Sequence, residues 1–317
     1  MPFILDSFIV EKETPIFLAL MKKYNLSQRE AQRLIDKGRV FNNSKIVSNK
    51  GEVVKGKIKT VIFQPYSRGV KPIYKEKNFI LFDKPSGILI HPKKMTTPYS
   101  LLDEIRTFGG DRANATHRLD KETSGLLIAS TTKESEKFFK NAFESKKIKK
   151  RYLAWVDGKT PPVFTVNEPI SLRKEYNITK HKVAINKEGK SAITHFKRIF
   201  YDNYLDSSLL EITPLTGRTH QIRIHLFHMK HPIIGDPLYK TSFEIATKYL
   251  EDRLSLEERV IKSGAPRLLL HAYYLEFNYQ GYLYKLYSPT NFFEARKLIF
   301  KDREKKIDLG VNPSHHL

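Results

Sequence analysis

Residues 116–129 read THRLDKETSGLLIA and indicate the fold more strongly than any other stretch of the 317-residue chain. Polar and ionisable side chains crowd a loop up to Ser124, and Gly125 then leads into the apolar run 126–129, which is typical of a buried strand. Composition alone would make this stretch a turn in which Asp120 is a helix cap or part of a surface ion pair. Polar residues set between glycine and an apolar strand are also how sites on the loops of a rigid scaffold look in sequence.

Three further segments have the same character: residues 83–92 (DKPSGILIHP), 149–156 (KKRYLAWV) and 217–236 (GRTHQIRIHLFHMKHPIIGD). The first indicates only a turn between two strands. The second follows a predicted amphipathic helix, about 133–147, with an apolar stripe. The third keeps helical spacing through Ile222 and Leu226. It holds four histidines, but not at the tight spacing of a metal motif, so we predict no metal site.

The charge balance points to a polyanionic partner. The chain has 56 Lys and Arg against 34 Asp and Glu, a formal net charge of +22. Release of counter-ions gives such a chain a salt-sensitive affinity for nucleic acid. A basic solvated surface with no such partner is the alternative. A membrane surface is disfavoured, because no basic amphipathic helix stands apart from a folded domain.

Composition also limits the class of protein. With 40% hydrophobic residues the chain suits a soluble globular protein with a sizeable core. It has no cysteine, which excludes disulfides, thiolate zinc sites and a cysteine nucleophile. No apolar run approaches the length of a membrane span, and the first residues do not read as a secretion signal. We therefore expect a cytoplasmic protein.

The first 65 residues read as a small module. Ser27 and Glu30 match a capping box, and the helix that follows is expected to end near Lys37, with Gly38 as a left-handed stop. Residues 40–47 then suggest a hairpin. One helix face carries a basic row, which could be only a solvated face. Residues 14–62 nevertheless resemble an S4-type RNA-binding domain, and the resemblance implies that the RNA-contacting residues are Arg29, Arg33, Lys37 and Arg39.

Proline and glycine residues indicate where the rest of the chain is divided. Residues 64–78 contain two prolines, a glycine and few apolar residues, so residues 66–78 read as a linker. A larger domain is predicted at 79–302. Residues 303–317 have no periodicity and read as a loose tail.

The segment 116–129 matches the signature H-R-L-D-x-x-T-S-G-L of the RluA-type pseudouridine synthases, the large-subunit rRNA branch of their superfamily. Segment 217–236 and residues 267–272 (RLLLHA) also resemble family motifs. The resemblance covers about 79–302 and implies an α+β fold, in which helices flank a mixed, mostly antiparallel sheet. It implies an enzyme that isomerises uridine to pseudouridine in structured RNA, most often rRNA, with tRNA as the alternative. Such an isomerisation needs no cofactor and no metal.

The same resemblance suggests roles for individual residues. Asp120 would be the essential carboxylate, Arg218 the cation that keeps it ionised, and Tyr152 the ring beneath the target base. Arg118 would fill the gap left by a flipped nucleotide. Further substrate-binding positions are His117, Leu270, Lys150 and Arg151. The residues leave open whether Asp120 attacks C1′, stabilises charge there or removes a proton.

Two other classes of protein remain as alternatives. A non-catalytic RNA-binding ribosome-assembly factor would share the charge and the N-terminal module, but it has no physical reason to keep the whole 116–129 motif. A hydrolase would need a second carboxylate as acid, for which Glu122 or Asp103 could be nominated. We expect a monomer.

Overall fold

The computed structural model describes residues 2–172 and 183–300. The chain forms two compact units. The first contains residues up to Gly69 together with His91–Thr107, and the second contains Val70–Ile90 and the residues from Phe108 onward. The division at residue 69 falls inside the predicted linker. Residues 91–107, which the sequence assigned to the large domain, belong to the first unit.

The first unit is a four-stranded antiparallel sheet with helices. Its elements are β1 (Phe3–Pro15), α1 (Ile16–Tyr24), α2 (Gln28–Asp36), β2 (Val40–Asn42), β3 (Lys45–Ile46), β4 (Val53–Phe63) and α3 (Leu101–Gly109). The strand order is β1-β4-β2-β3. The predicted hairpin is confirmed, since Phe41 pairs with Ile46. Gly38 has a φ of 61°, as expected of a left-handed helix stop.

Two buried acids of α3 organise the segment that follows β4. The carboxylate of Glu104 accepts from the Ser67 hydroxyl at 2.6 Å and from the backbone N–H of Arg68 at 2.6 Å. Asp103 accepts from the N–H of Tyr66 at 3.2 Å. These charge-assisted bonds hold the predicted linker against α3, which explains why residues 91–107 cluster with the first unit.

The second unit is built on a ten-stranded sheet. Its strands are β5 (Tyr74–Lys75), β6 (Phe79–Lys84), β7 (Asn114–Ala115), β8 (Ser124–Ser130), β9 (Lys149–Asp157), β10 (Val163–Asn167), β13 (Ile193–Asp202), β14 (Ser207–Pro214), β15 (Leu270–Tyr279) and β16 (Tyr282–Tyr287). The strand order is β10-β13-β14-β9-β15-β8-β6-β5; in addition, β16 pairs with β15, and β7 pairs with β8. Two short strands, β11 (Ile170–Leu172) and β12 (Val183–Ile185), pair separately. Among the described pairs, β8 and β15 alone run parallel.

Helices cover this sheet. They are α4 (Lys133–Glu144), α5 (Gln221–His228), α6 (Phe243–Leu250), α7 (Leu256–Ser263) and a 3₁₀ helix (Phe292–Leu298). Phe139 of α4 packs with Leu126 and Ile128 of β8 in one core cluster. Ile222 and Leu226 of α5 pack with β9 and β14 in another. The expected α+β fold with a mixed, mostly antiparallel sheet is confirmed. In the described ranges, no helix has the length and apolar character that a membrane crossing requires.

Candidate active site

The loop 116–123, which ends at β8, is fixed by the turn that follows β6. Its Lys121 carbonyl accepts from the N–H of Gly87 at 2.9 Å, and its Glu122 carbonyl accepts from the Ser86 hydroxyl at 2.6 Å. Asp120 itself closes a turn, because its carbonyl accepts from the N–H of Thr123 at 3.2 Å. Hydrogen bonds from segment 83–92 therefore hold the Asp120 loop in place, a role that the sequence of this segment did not suggest.

The buried Lys84 also holds the Asp120 loop, from inside the protein. Its side chain is buried, with 1% exposure, and its Nζ donates to the carbonyls of Pro85, Ile88 and Lys121 at 2.9, 3.0 and 3.0 Å. Burial lowers the pKa of Lys84 to about 7. The three acceptors match the three N–H groups of an ammonium, so this one side chain ties the β6 turn to the Asp120 loop.

The cation beside Asp120 is Arg223 of α5. Its Nη1 lies 3.3 Å from Oδ2 of Asp120, whose side chain is 32% exposed. On the other edge of the guanidinium, Nε and Nη2 donate to the two carboxylate oxygens of Asp236 at 2.7 and 2.8 Å. A guanidinium held by two parallel bonds has a fixed orientation, so Asp236 aims Arg223 at Asp120.

The buried ion pair of Asp236 and Arg223 shifts the pKa of both groups. Burial alone would raise the pKa of the Asp236 carboxyl, but the Arg223 charge and its hydrogen bonds outweigh burial and lower it below its ordinary value. Burial disfavours the charge of Arg223, while Asp236 and then Asp120 raise its pKa above the ordinary value. Asp236 and Arg223 are therefore both ionised at neutral pH.

Arg218 does not make the predicted ion pair. It lines the same cavity as Asp120, but its side chain is exposed and its Nε donates to the carbonyl of Ser191 at 3.0 Å. Arg218 lies on the loop before α5, whereas Arg223 lies within the helix, which points it to the interior. The contact with Asp120 that the sequence assigned to Arg218 is made by Arg223 in this structure.

His220 is the second titratable neighbour of Asp120. Its Nε2 lies 3.7 Å from Oδ2 of Asp120, and its Nδ1 lies 2.9 Å from the hydroxyl of Tyr239. His220 caps α5 in the left-handed region, with a φ of 53°, which is uncommon for a residue with a side chain. The sequence predicted no role for His220 or Tyr239.

Tyr152 and Leu270 supply an apolar wall of the cavity. Tyr152 lies in β9 beside β15, which begins with the buried Leu270, and both residues line the cavity that contains Asp120. Burial, with a further contribution from Asp120, raises the pKa of Tyr152, so its phenol is neutral. The structure thus brings six of the eight predicted catalytic and substrate-binding residues to one cavity: Asp120, Arg218, Tyr152, Arg118, Leu270 and Lys150.

The cavity has a volume of about 120 Å³ and an excess of positive charge. Among the residues that the structure describes, Asp120 is the one carboxylate that lines it, and four cationic side chains line it: Arg118, Lys150, Arg218 and Arg223. Arg118 is exposed, as a side chain acting on bound RNA must be.

Two predicted substrate-binding residues do not line this cavity. His117 is engaged inside the unit, where its Nε2 accepts from the N–H of Ile128 at 3.1 Å and its ring packs 4.2 Å from Phe143. Burial lowers the pKa of His117 to about 3, so the ring is neutral. Arg151 stacks on Tyr274 at 5.1 Å, with its Nη1 3.7 Å from Glu211. Strand alternation explains this, because Arg151 points opposite to its neighbours in β9.

Glu122 is a structural anchor rather than an acid facing the cavity. Its carboxylate accepts from the Tyr249 hydroxyl at 2.9 Å and from Nη2 of Arg259 at 2.6 Å. Burial would raise the pKa of Glu122, but Arg259 and Tyr249 lower it below its ordinary value. Asp103, the other acid nominated for a hydrolase, accepts from the N–H of Ser100 at 2.9 Å in the first unit.

Three of the four histidines of segment 217–236, His220, His225 and His231, have separate partners. Nδ1 of His225 lies 2.9 Å from the Thr194 hydroxyl, and Nδ1 of His231 lies 2.7 Å from the Asp157 carbonyl. Within residues 2–172 and 183–300, no group of three or more His, Asp or Glu side chains is arranged to hold a metal ion.

In the first unit, basic residues from other elements lie close to the basic row that begins on α2 (Arg29, Arg33 and Lys37). Burial lowers the pKa of Lys37, and the nearby charges of Arg39, Arg33 and Arg106 lower it further. Arg106 comes from α3, so the sequence could not place it in this cluster. Arg39 stacks over Phe3 at 4.6 Å. The guanidinium of Arg106 lies 4.8 Å from the ring of Phe63.

Known proteins are similar to this chain over the segments that form the cavity. The model of the family described as RNA pseudouridylate synthase matches residues 78–228. An "Uncharacterized RNA pseudouridine synthase" of Helicobacter pylori strain J99 is 39% identical over 293 residues, which cover 91% of this chain and 96% of that protein. A "Ribosomal large subunit pseudouridine synthase D" of Buchnera aphidicola subsp. Acyrthosiphon pisum is 30% identical over 275 residues, 82% of this chain and 84% of that one.

A solved structure shows the same fold. Human RNA Pseudouridylate Synthase Domain Containing 1 superposes with a TM-score of 0.57 at 22% identity, covering 78% of this chain and 97% of the human one. The family match spans the Asp120 loop, Tyr152 and α5, which together form the cavity described above. The chain belongs to the RNA pseudouridine synthases of the RluA type.

Proposed function

We propose that this protein converts specific uridines of large-subunit ribosomal RNA into pseudouridine, with Asp120 as the essential carboxylate. The observation that carries the proposal is the pairing of Asp120 with Arg223 at the mouth of a cationic cavity walled by Tyr152 and Leu270. The Buchnera relative is named for the ribosomal large subunit, which favours rRNA over tRNA. The protein would act in the cytoplasm as a monomer.

The chemistry requires an ionised carboxylate at the sugar. The C1′–N1 bond of uridine breaks, the uracil turns, and C5 joins C1′; the C5 proton is lost and N1 gains one, so no atoms or electrons are exchanged overall. A carboxylate beside C1′ could attack it, stabilise positive charge there or remove a neighbouring proton. Each route uses Asp120 as a carboxylate, and the fixed positive charge of Arg223 lies 3.3 Å from its Oδ2.

The target nucleotide must leave its helix to reach Asp120. Flipping costs a few kcal/mol of lost stacking. Stacking on Tyr152 would return about 1–3 kcal/mol. Arg118, exposed at the cavity, would occupy the vacated position in the RNA.

The first unit would supply affinity without choosing the uridine. We propose that it is an S4-like RNA-binding domain whose Arg29, Arg33, Lys37 and Arg39 contact phosphates. Two binding units on one chain raise each other's effective concentration at the RNA.

The test uses the wild type and Asp120→Asn on rRNA and tRNA from cells that lack the gene, with pseudouridine mapped at nucleotide resolution. We expect new pseudouridine in rRNA with the wild type and none with the variant, while both bind RNA with similar affinity. Wild-type binding without pseudouridine would support an assembly factor, and strand cleavage a hydrolase. Near-normal activity of the variant would remove Asp120 from the mechanism.

A further inference from the structure

Lys150 occupies a distinctive place in the cavity wall. It lies two residues before Tyr152 on β9, so both side chains emerge on the same face of the strand, about 7 Å apart. A Cβ built on Gly217 would lie 3.4 Å from its Nζ, which places the ammonium against the loop that precedes α5. Lys150 thus reaches the cavity beside the ring proposed to carry the uracil.

The charge of Lys150 is not balanced by the protein around it. Within residues 2–172 and 183–300 its ammonium has no hydrogen-bond or ion-pair partner, whereas Arg223 is held by Asp236 and Arg218 by the Ser191 carbonyl. Burial, and then the nearby charge of Lys146, lowers the pKa of Lys150. A half-buried cation in this state gains most from a ligand that brings negative charge.

Two kinds of negative charge could meet Lys150: a phosphate of the RNA, or the uracil itself during the reaction. Lys146 and Lys147 are exposed on the nearby surface, where they can reach the backbone of a bound RNA. Lys150 is more buried and lies beside Tyr152, so its four-carbon stem can bring Nζ to the edge of a stacked ring. That position favours the oxygens of the uracil.

We propose that Lys150 is a catalytic residue that stabilises the negative charge on the uracil oxygens as the C1′–N1 bond breaks. This role rests on the proposed function. The bonding pair departs with N1 and spreads over O2 and O4, to which Lys150 donates a hydrogen bond while keeping its proton. When C5 bonds to C1′ and loses its proton, N1 gains one and the charge disappears, so Lys150 is unchanged after each turnover.

The test compares two RNAs that differ only at the target nucleotide, which is uridine in one and 5-fluorouridine in the other. The base that leaves C1′ is therefore uracil or 5-fluorouracil. Fluorine withdraws electrons and stabilises the uracil anion, so the fluorinated base depends less on an external cation. Single-turnover rates of nucleoside disappearance are measured for the wild type, Lys150→Met and Lys150→Arg, with Lys262→Met, on the exposed side of α7, as the control. The ratio of the two rates within one preparation does not depend on the fraction of correctly folded protein.

We expect Lys150→Met to slow the uridine reaction about 10²–10³-fold, as removal of one donor from a developing anion does. The fold-decrease in rate caused by Lys150→Met on 5-fluorouridine should be at least about tenfold smaller, while Lys150→Arg retains most activity and Lys262→Met all of it. Equal losses on both RNAs would overturn the proposal. So would an unchanged rate with weaker RNA binding and a shallower salt dependence, which would identify a phosphate contact. An inactive wild type would instead contradict the proposed function.

Discussion

Arg223 is held by Asp236 through two hydrogen bonds of 2.7 and 2.8 Å, and only its remaining nitrogen, at 3.3 Å, approaches Asp120. The orientation of the cation is thus set by a residue that does not line the cavity. Asp236 stays fully buried and ionised, so the geometry of the site depends on a group remote from the substrate.

Asp236→Asn should damage both the fold and the reaction. Removing one partner of a buried ion pair costs about 3–5 kcal/mol of unfolding free energy. A guanidinium that is no longer fixed by two bonds should also slow turnover by about 10–100-fold. Urea unfolding and single-turnover rates measure the two effects. Asp252→Asn is the matched control, because Asp252 is 87% exposed and lies 3.7 Å from Lys121; it should leave both quantities nearly unchanged.

The stability of the protein should fall in acid, in part through Asp236. The folded protein lowers the pKa of this carboxyl below its ordinary value of 3.8, so the unfolded chain binds the proton more tightly. The resulting stabilisation is complete well above pH 3.8 and is lost as the pH falls through that value towards the lowered one. Unfolding free energies measured between pH 7 and pH 3 should fall less steeply for Asp236→Asn than for the wild type. Parallel curves would contradict this assignment.

Arg118→Ala should distinguish structured from flexible substrates. If Arg118 fills the space of a flipped nucleotide, its loss should slow conversion in a duplex or stem-loop by about tenfold or more, since unstacking costs a few kcal/mol. A short single-stranded oligonucleotide needs no such replacement and should lose little. The exposed Arg112, which does not line the cavity, provides the control Arg112→Ala. Equal losses of Arg118→Ala on both RNAs would argue against the wedge.

Gly125→Ala should disrupt the junction between the Asp120 loop and β8. Gly125 has a φ of +111°, and a Cβ there would lie 2.2 Å from the carbonyl oxygen of Ala272, its partner in the parallel pairing of β8 with β15. We expect a loss of about 2–5 kcal/mol in unfolding free energy. Gly87→Ala is the control: its φ is +86° but nothing lies within 4 Å, so only the backbone strain of about 1–2 kcal/mol should appear. Equal losses would show that crowding is unimportant.

Much of this protein follows from patterns that are local in the chain. The charge excess, the hairpin at residues 40–47, the helix that contains Ile222 and Leu226, and the loop of Asp120 each depend on neighbouring residues, whose periodicity and turn chemistry are visible directly. The opposite directions of Lys150 and Arg151 on β9 also follow from strand alternation, although the sequence-based interpretation treated the two residues alike.

The partners in the site were decided by long-range packing. Asp120 and Arg223 are 103 positions apart, and the sequence indicated Arg218 as the cation. In the structure, Arg223 of α5 is buried beside Asp120, whereas Arg218 is exposed. The hydrogen bond from Lys84 to the Asp120 loop, the anchoring of Glu122 by Tyr249, and the assignment of residues 91–107 to the first unit are of the same kind. Local sequence specifies which groups can form such contacts, but the burial of a shared core determines which of them meet.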